Sequence, residues 1–131
     1  SLANEVEKMI KYFEKSDKNI FLIEDTPTFT FDPKLCKYKR LLGSETKCLI
    51  SSAGYKVRSD SYIYDFIKLE ERYSYAKVIR VNNTLCDNEK CSMVFDGKIL
   101  YRDPNHLNIN GSRLVGSFIA KEILRRLHNN E

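Results

Sequence analysis

No apolar run in this sequence approaches the roughly 20 residues that a transmembrane helix needs, and no signal-peptide pattern is visible. A membrane-anchored or secreted parent from which these residues have been cut is still compatible with both absences. There is no internal repeat and no low-complexity segment. There is also no block of basic residues: 22 Lys and Arg are interleaved with 18 Asp and Glu, for a net charge of +4. That balance describes a mildly basic, solvated surface and weighs against a nucleic-acid binder, which concentrates its cations on one face. Cys-x-x-Cys is missing and histidines number only two, so a structural zinc site has little to build on. What is present is ordinary for a globular chain, 42% hydrophobic and 31% charged, which is too apolar for disorder. At 131 residues it is one domain or part of one, long enough to bury a core.

The four cysteines fall into two local pairs. Cys86 and Cys91 bracket a short polar loop, and Cys36 and Cys48 bracket a longer loop-like stretch. An even number set pairwise in loops reads as two disulfides formed in an oxidising compartment. Four cysteines allow three pairings, of which Cys86–Cys91 with Cys36–Cys48 is the local one.

Hydrophobic periodicity divides the rest. Leu2, Val6, Met9, Ile10 and Phe13 predict a helix over 3–15, and Ile20-Phe21-Leu22-Ile23 predicts a strand buried on both faces. Residues 24–52 read as a long irregular insert, of the kind that is functional or cross-linked. A second helix is expected over 59–73, then a strand over 76–81 that Lys77 and Arg80 keep less fully buried. Asp96-Gly97 between Met93-Val94-Phe95 and Ile99-Leu100-Tyr101 is a hairpin signal. A last helix starts at Asn108 or Asn110, with Leu114, Val115, Phe118, Ile119, Ile123 and Leu127 inward. Helix followed by buried strand implies a parallel α/β layer.

The chemistry concentrates just before that last helix. In Asp103-Pro104-Asn105-His106 an acid stands three residues before a histidine on a tight loop. This spacing lets the carboxylate hold one imidazole nitrogen and leaves the other free to take a proton from a hydroxyl, two-thirds of a Ser-His-Asp triad. The third member is not evident. Ser44, after Gly43, lies inside the insert with no buried strand before it and is a poor nucleophile. Asn82 and Asn83 read as turn residues, His128 as a solvated terminal residue, and Tyr55, Tyr62, Tyr64, Tyr73 and Tyr75 as packing more than as sugar-stacking groups.

Several segments in this order resemble the SGNH/GDSL hydrolase superfamily, and most closely the SGNH domain fused to acyltransferase-3 membrane proteins that O-acetylate bacterial surface polysaccharides. Ile20 to Pro27 is similar to that family's strand running into a proline loop, and Phe31 to Cys36 to the segment after it. Leu85 to Cys91, then Phe95 to Gly111, resembles its terminal block. The resemblance spans about residues 4–127. It implies a three-layer α/β/α flavodoxin-like fold, of which residues 1–131 supply the C-terminal part of a single domain, a mostly parallel sheet plus a hairpin. It also implies that Asp103 and His106 are the acid and base of the last catalytic block. The family's nucleophile sits in a Gly-Asp-Ser motif, with oxyanion Gly and Asn in the next two blocks, and none of these motifs occurs here. The implied parent is an inner-membrane protein whose SGNH domain faces the periplasm. It receives an acyl donor from its membrane portion or a carrier, acts on a carbohydrate acceptor and needs no cofactor or metal. A carbohydrate esterase, or an inactive glycan-binding module, are the competing expectations.

Overall fold

The computed structural model describes residues 1–41 and 48–129. Its first helix, α1 (Leu2–Tyr12), is capped by the Ser1 hydroxyl, which accepts from the Asn4 N–H at 3.4 Å. It stops a turn short of the expected end because Ser16 N–H and its hydroxyl both bond to the Phe13 carbonyl and bend the chain. Next come β1 (Ile20–Ile23), α2 (Pro33–Leu41), β2 (Leu49–Ser51), α3 (Ser52–Arg72) and β3 (Ala76–Ile79). A 3₁₀ turn (Val81–Thr84) leads to β4 (Lys90–Ser92), β5 (Val94–Phe95), β6 (Lys98–Ile99) and α4 (Ile109–His128).

β1 and β3 pair in parallel, with Ile20 opposite Ala76 and Ile23 opposite Ile79. Alternation along these strands sorts their side chains onto two faces. Ile20, Leu22 and Ala76 meet Val6 and Ile10 of α1 and Leu69 of α3. Phe21 and Ile79 join the larger core on the other face with Leu114, Val115, Phe118 and Ile119 of α4. The pair is therefore sandwiched between helices, the α/β/α layering that the sequence implies.

Burial of the two strands is the reverse of expectation. β1 is only half-buried and Ile23 is 44% exposed, whereas Ala76, Val78 and Ile79 of β3 are buried. The reason is position. Among the described residues β1 has a strand neighbour on one side only. The outer edge of β3 is closed by side chains: Glu70 of α3 accepts the Val78 N–H at 3.1 Å and Arg126 of α4 donates to the Val78 carbonyl at 3.2 Å. Arg126 and Glu70 also pair with each other at 2.9 Å.

The segment expected to be irregular over 24–52 contains α2 and β2. Pro33 opens α2 at the position where a helix tolerates it, and the Asp32 carboxylate accepts the Lys34 N–H at 2.8 Å as an N-cap. β2 pairs antiparallel with β4, Ile50 opposite Cys91. The second helix begins seven residues earlier than expected, because residues 52–58 carry no apolar stripe that would reveal it. The hairpin β5–β6 turns on Asp96 (φ 47°) and Gly97 (φ 72°), the paired left-handed geometry of a two-residue turn. Asn108 caps α4, its Oδ1 accepting the Asn110 and Gly111 N–H groups at 2.9 and 3.1 Å. Leu127, expected inward, is 38% exposed, since the last turn of α4 runs past the core that holds Ile123.

Cys36 is bonded to Cys48 and Cys86 to Cys91. Cys36, Cys48 and Cys91 are buried in the larger core, so the first bridge ties α2 to the start of β2, and the second pins the loop entering β4. Replacing Cys36 and Cys48 together by alanine is expected to cost about 3 kcal/mol, and replacing Cys86 and Cys91 about 2 kcal/mol, because the second closes the shorter loop. Urea unfolding of the two double variants checks the order.

Candidate active site

Between β6 and α4 the chain makes a narrow loop closed by a bridge between Tyr101 and Leu107 and by the Arg102 N–H donating to the His106 carbonyl at 3.0 Å. Asp103 and His106 face each other inside it. The Asp103 carboxylate accepts the backbone N–H groups of Asn105 and His106, each at 2.9 Å, which fixes its orientation before any side chain is considered. His106 Nδ1 then lies 2.8 Å from Oδ1 and 2.9 Å from Oδ2. With the carboxylate ionised, Nδ1 carries the proton and donates it, so the neutral ring has its lone pair on Nε2. Nε2 has no protein partner among the described residues, and the imidazole is 61% exposed against 38% for the aspartate. The arrangement can accept a proton from a hydroxyl brought to Nε2 and stabilise the imidazolium that results.

The backbone N–H of Asn105, with the His106 ring and backbone bonds, holds the Asp103 carboxyl below the usual carboxylate range. Asp103 therefore stabilises the folded loop above its unfolded value of about 3.9. That contribution disappears as pH falls from there through the lower folded value. Stability curves of the native chain and of Asp103→Asn are expected to converge on acidification through this window. A constant gap down to the lowest pH would remove the ionised carboxylate from this account.

Three surrounding contacts hold the loop. The Asn108 side-chain amide donates to the Ile99 and Tyr101 carbonyls at 2.7 and 3.4 Å while its oxygen caps α4. Tyr101, almost fully buried, donates its hydroxyl to the Pro27 carbonyl at 2.8 Å, and burial pushes its phenol well above the ordinary range. The Phe29 N–H donates to the Pro104 carbonyl at 2.8 Å, and the Phe29 ring meets Tyr101 edge-on at 4.8 Å. The proline loop after β1 thus braces the Asp-His loop from outside. Sequence reasoning found Asn108 only as a cap and missed Tyr101 and Phe29. The signal was there in a tyrosine closing a strand immediately before the polar loop.

At the carboxyl ends of the parallel strands, Glu24 is buried and faces Arg80 with Oε1 3.2 Å from Nε, while its Oε2 accepts the Asn82 N–H at 3.2 Å. Burial raises the Glu24 carboxyl and the Arg80 contact opposes that rise. Asn82 is accordingly an internal tie within the 3₁₀ turn, and Asn83 is exposed on it. Ser44 lies outside the described residues. Of the tyrosines, Tyr73 donates to Glu7 at 2.6 Å, Tyr75 to the Ile10 carbonyl at 3.1 Å, and Tyr62 accepts from the Asp25 N–H at 3.0 Å. Tyr64 is exposed beneath the Lys68 ammonium. His128 is exposed at the end of α4.

The layered α/β chain thus presents an aspartate-oriented histidine on the loop before its last helix. The family model described as the SGNH domain (fused to AT3 domains) matches residues 1–121. The chain belongs to that family. No curated protein and no solved structure matches it.

Proposed function

We propose that this chain is the C-terminal part of a single SGNH domain that transfers an acyl group, acetyl in the simplest case, to a hydroxyl of a bacterial surface polysaccharide. The observation that carries the reading is the Asp103–His106 pair, with both carboxylate oxygens on Nδ1 and two backbone N–H groups behind them. His106 Nε2 takes the proton of a serine hydroxyl as that oxygen attacks the acyl carbonyl, and returns it to the leaving group of the donor. In the second half the same nitrogen deprotonates the acceptor sugar hydroxyl, which takes the acyl group and frees the serine. Asp103 fixes the tautomer and stabilises the imidazolium. The serine and the oxyanion donors belong to sequence blocks not found in these 131 residues. The acyl donor comes from the AT3 portion or a carrier, and the two disulfides fit an oxidising, periplasmic setting.

The test compares two proteins. The 131-residue chain is expected to release no p-nitrophenol from p-nitrophenyl acetate above background, because loss of a nucleophile costs about a million-fold. A protein carrying the whole SGNH domain is expected to turn the ester over, and to yield acylated glycan when the acceptor polysaccharide is added. Rapid turnover by the short chain that vanishes in Ser44→Ala would overturn the assignment of the nucleophile to another block. Release of free acetate alone, unchanged by acceptor, would make the protein an esterase.

A further inference from the structure

On either side of the Asp-His loop in sequence, the hairpin β5–β6 and the first turns of α4 enclose an open groove of about 210 Å³. Leu100 and Leu114 line it, as does Phe95, which is 54% exposed. Lys98 from the hairpin and Arg113 from the helix both line it. Among the described residues, Arg72, Arg80, Arg102, Arg125 and Arg126 each lie within 4 Å of a carboxylate. Neither the Arg113 nor the Lys98 side chain has an ion pair or a hydrogen bond among the described residues. Two unpaired cations from different elements thus line one concavity, against a single carboxylate, Asp96, at the turn.

We propose that this groove is a subsite for an acidic sugar, one hexuronate residue of the acceptor polysaccharide. The volume of about 210 Å³ accommodates a single ring, being below the roughly 300–1,000 Å³ of sites for larger ligands. An exposed aromatic ring gives the apolar face of a pyranose a surface to lie on. The Arg113 guanidinium presents the planar fork that matches a carboxylate, and Lys98 adds a second, movable donor. Asp96 is an acceptor for ring hydroxyls, and the Asn110 side chain in the same lining both donates and accepts. A neutral sugar leaves both cations unanswered, and a bare inorganic anion leaves the aromatic and apolar surfaces unused. The combination favours a ring that carries its charge on a carboxylate.

The inference takes its polysaccharide from the function proposed above, but binding requires no serine and is measured on this chain alone. The probe is a galacturonate tetramer, titrated into the ¹⁵N-labelled chain and followed by NMR, with its fully methyl-esterified form as the uncharged comparison. Saturable shifts are expected for amides of residues 95–98 and 110–114, with a dissociation constant of order 1 mM, so that about 10 mM brings the site near saturation. The ester is expected to bind at least about tenfold more weakly, as is the chain with Lys98→Ala and Arg113→Ala, since a hydrogen bond to a charged group accounts for that factor or more. Both residues are exposed, and the dispersion of the variant spectrum verifies its fold; Arg113→Lys is expected to retain part of the affinity. Equal shifts with the ester, shifts confined to other residues, full displacement by equimolar phosphate, or no saturable shift at 10 mM would each overturn the subsite. None of those outcomes touches the acyl-transfer reading, which stands or falls on turnover by the whole domain.

Discussion

In a protein carrying the whole SGNH domain, His106→Ala is expected to lower acyl transfer by about a million-fold while leaving the fold intact. The imidazole is the only group in the loop able to take and return the proton, and removing the base of such a unit costs as much as removing the nucleophile. The side chain is largely exposed and its one bond is to Asp103, so little packing goes with it. Asp103→Asn is expected to lose about ten-thousand-fold, because an amide facing Nδ1 favours the wrong tautomer. Turnover with p-nitrophenyl acetate together with circular dichroism checks both. A fully active His106→Ala enzyme would sink the catalytic reading, whatever the geometry of the pair.

Gly111→Ala is expected to destabilise the chain by about 3 kcal/mol, the upper part of the range for overpacking. A Cβ at this position would run into the Leu100 carbonyl oxygen and come within 2.8 Å of Leu107 Cδ2. The leucine side chain can rotate away. The carbonyl cannot, because it accepts the Asn108 N–H at 2.8 Å and follows directly on β6. The first turn of α4 would have to lift, carrying its cap and the Asp-His loop with it. Gly116, one and a half turns further along the same helix, has open space where its Cβ would stand. Gly116→Ala is therefore expected to stabilise the chain by roughly 0.5–1 kcal/mol. Thermal unfolding of the two variants separates close approach from helix propensity.

Local signals were the legible part of this chain. Asp96-Gly97 dictated its turn and Asn108 its cap, and the three-residue interval from Asp103 to His106 was enough to foresee that the two could meet, because all of these depend on neighbours in sequence. The short α2 has little apolar periodicity to reveal it, although Asp32-Pro33 announces a helix start. The exposure of β1 and the burial of β3 were not legible at all. Ile20 to Ile23 is as apolar as any central strand, and only the pairing partners decide which of two strands lies at the edge. Lys77 and Arg80 suggested exposure for β3, yet Arg80 is answered by Glu24 56 positions earlier, a partner no local window contains. The bracing of the site by Pro27, Phe29 and Tyr101 was hidden for the same reason.

The Glu70–Arg126 clasp on Val78 bears on stoichiometry. A parallel pair normally offers two rows of unpaired backbone groups, and a molecule with two such edges can add copies without limit. Here the clasp occupies the middle of one edge, so among the described residues this pair has a single open side, along the backbone of Phe21 and Ile23. Self-pairing through that side uses the same row in both copies, which is two-fold symmetric and leaves nothing for a third. An unclasped β3 would leave both edges of the pair open to further strands.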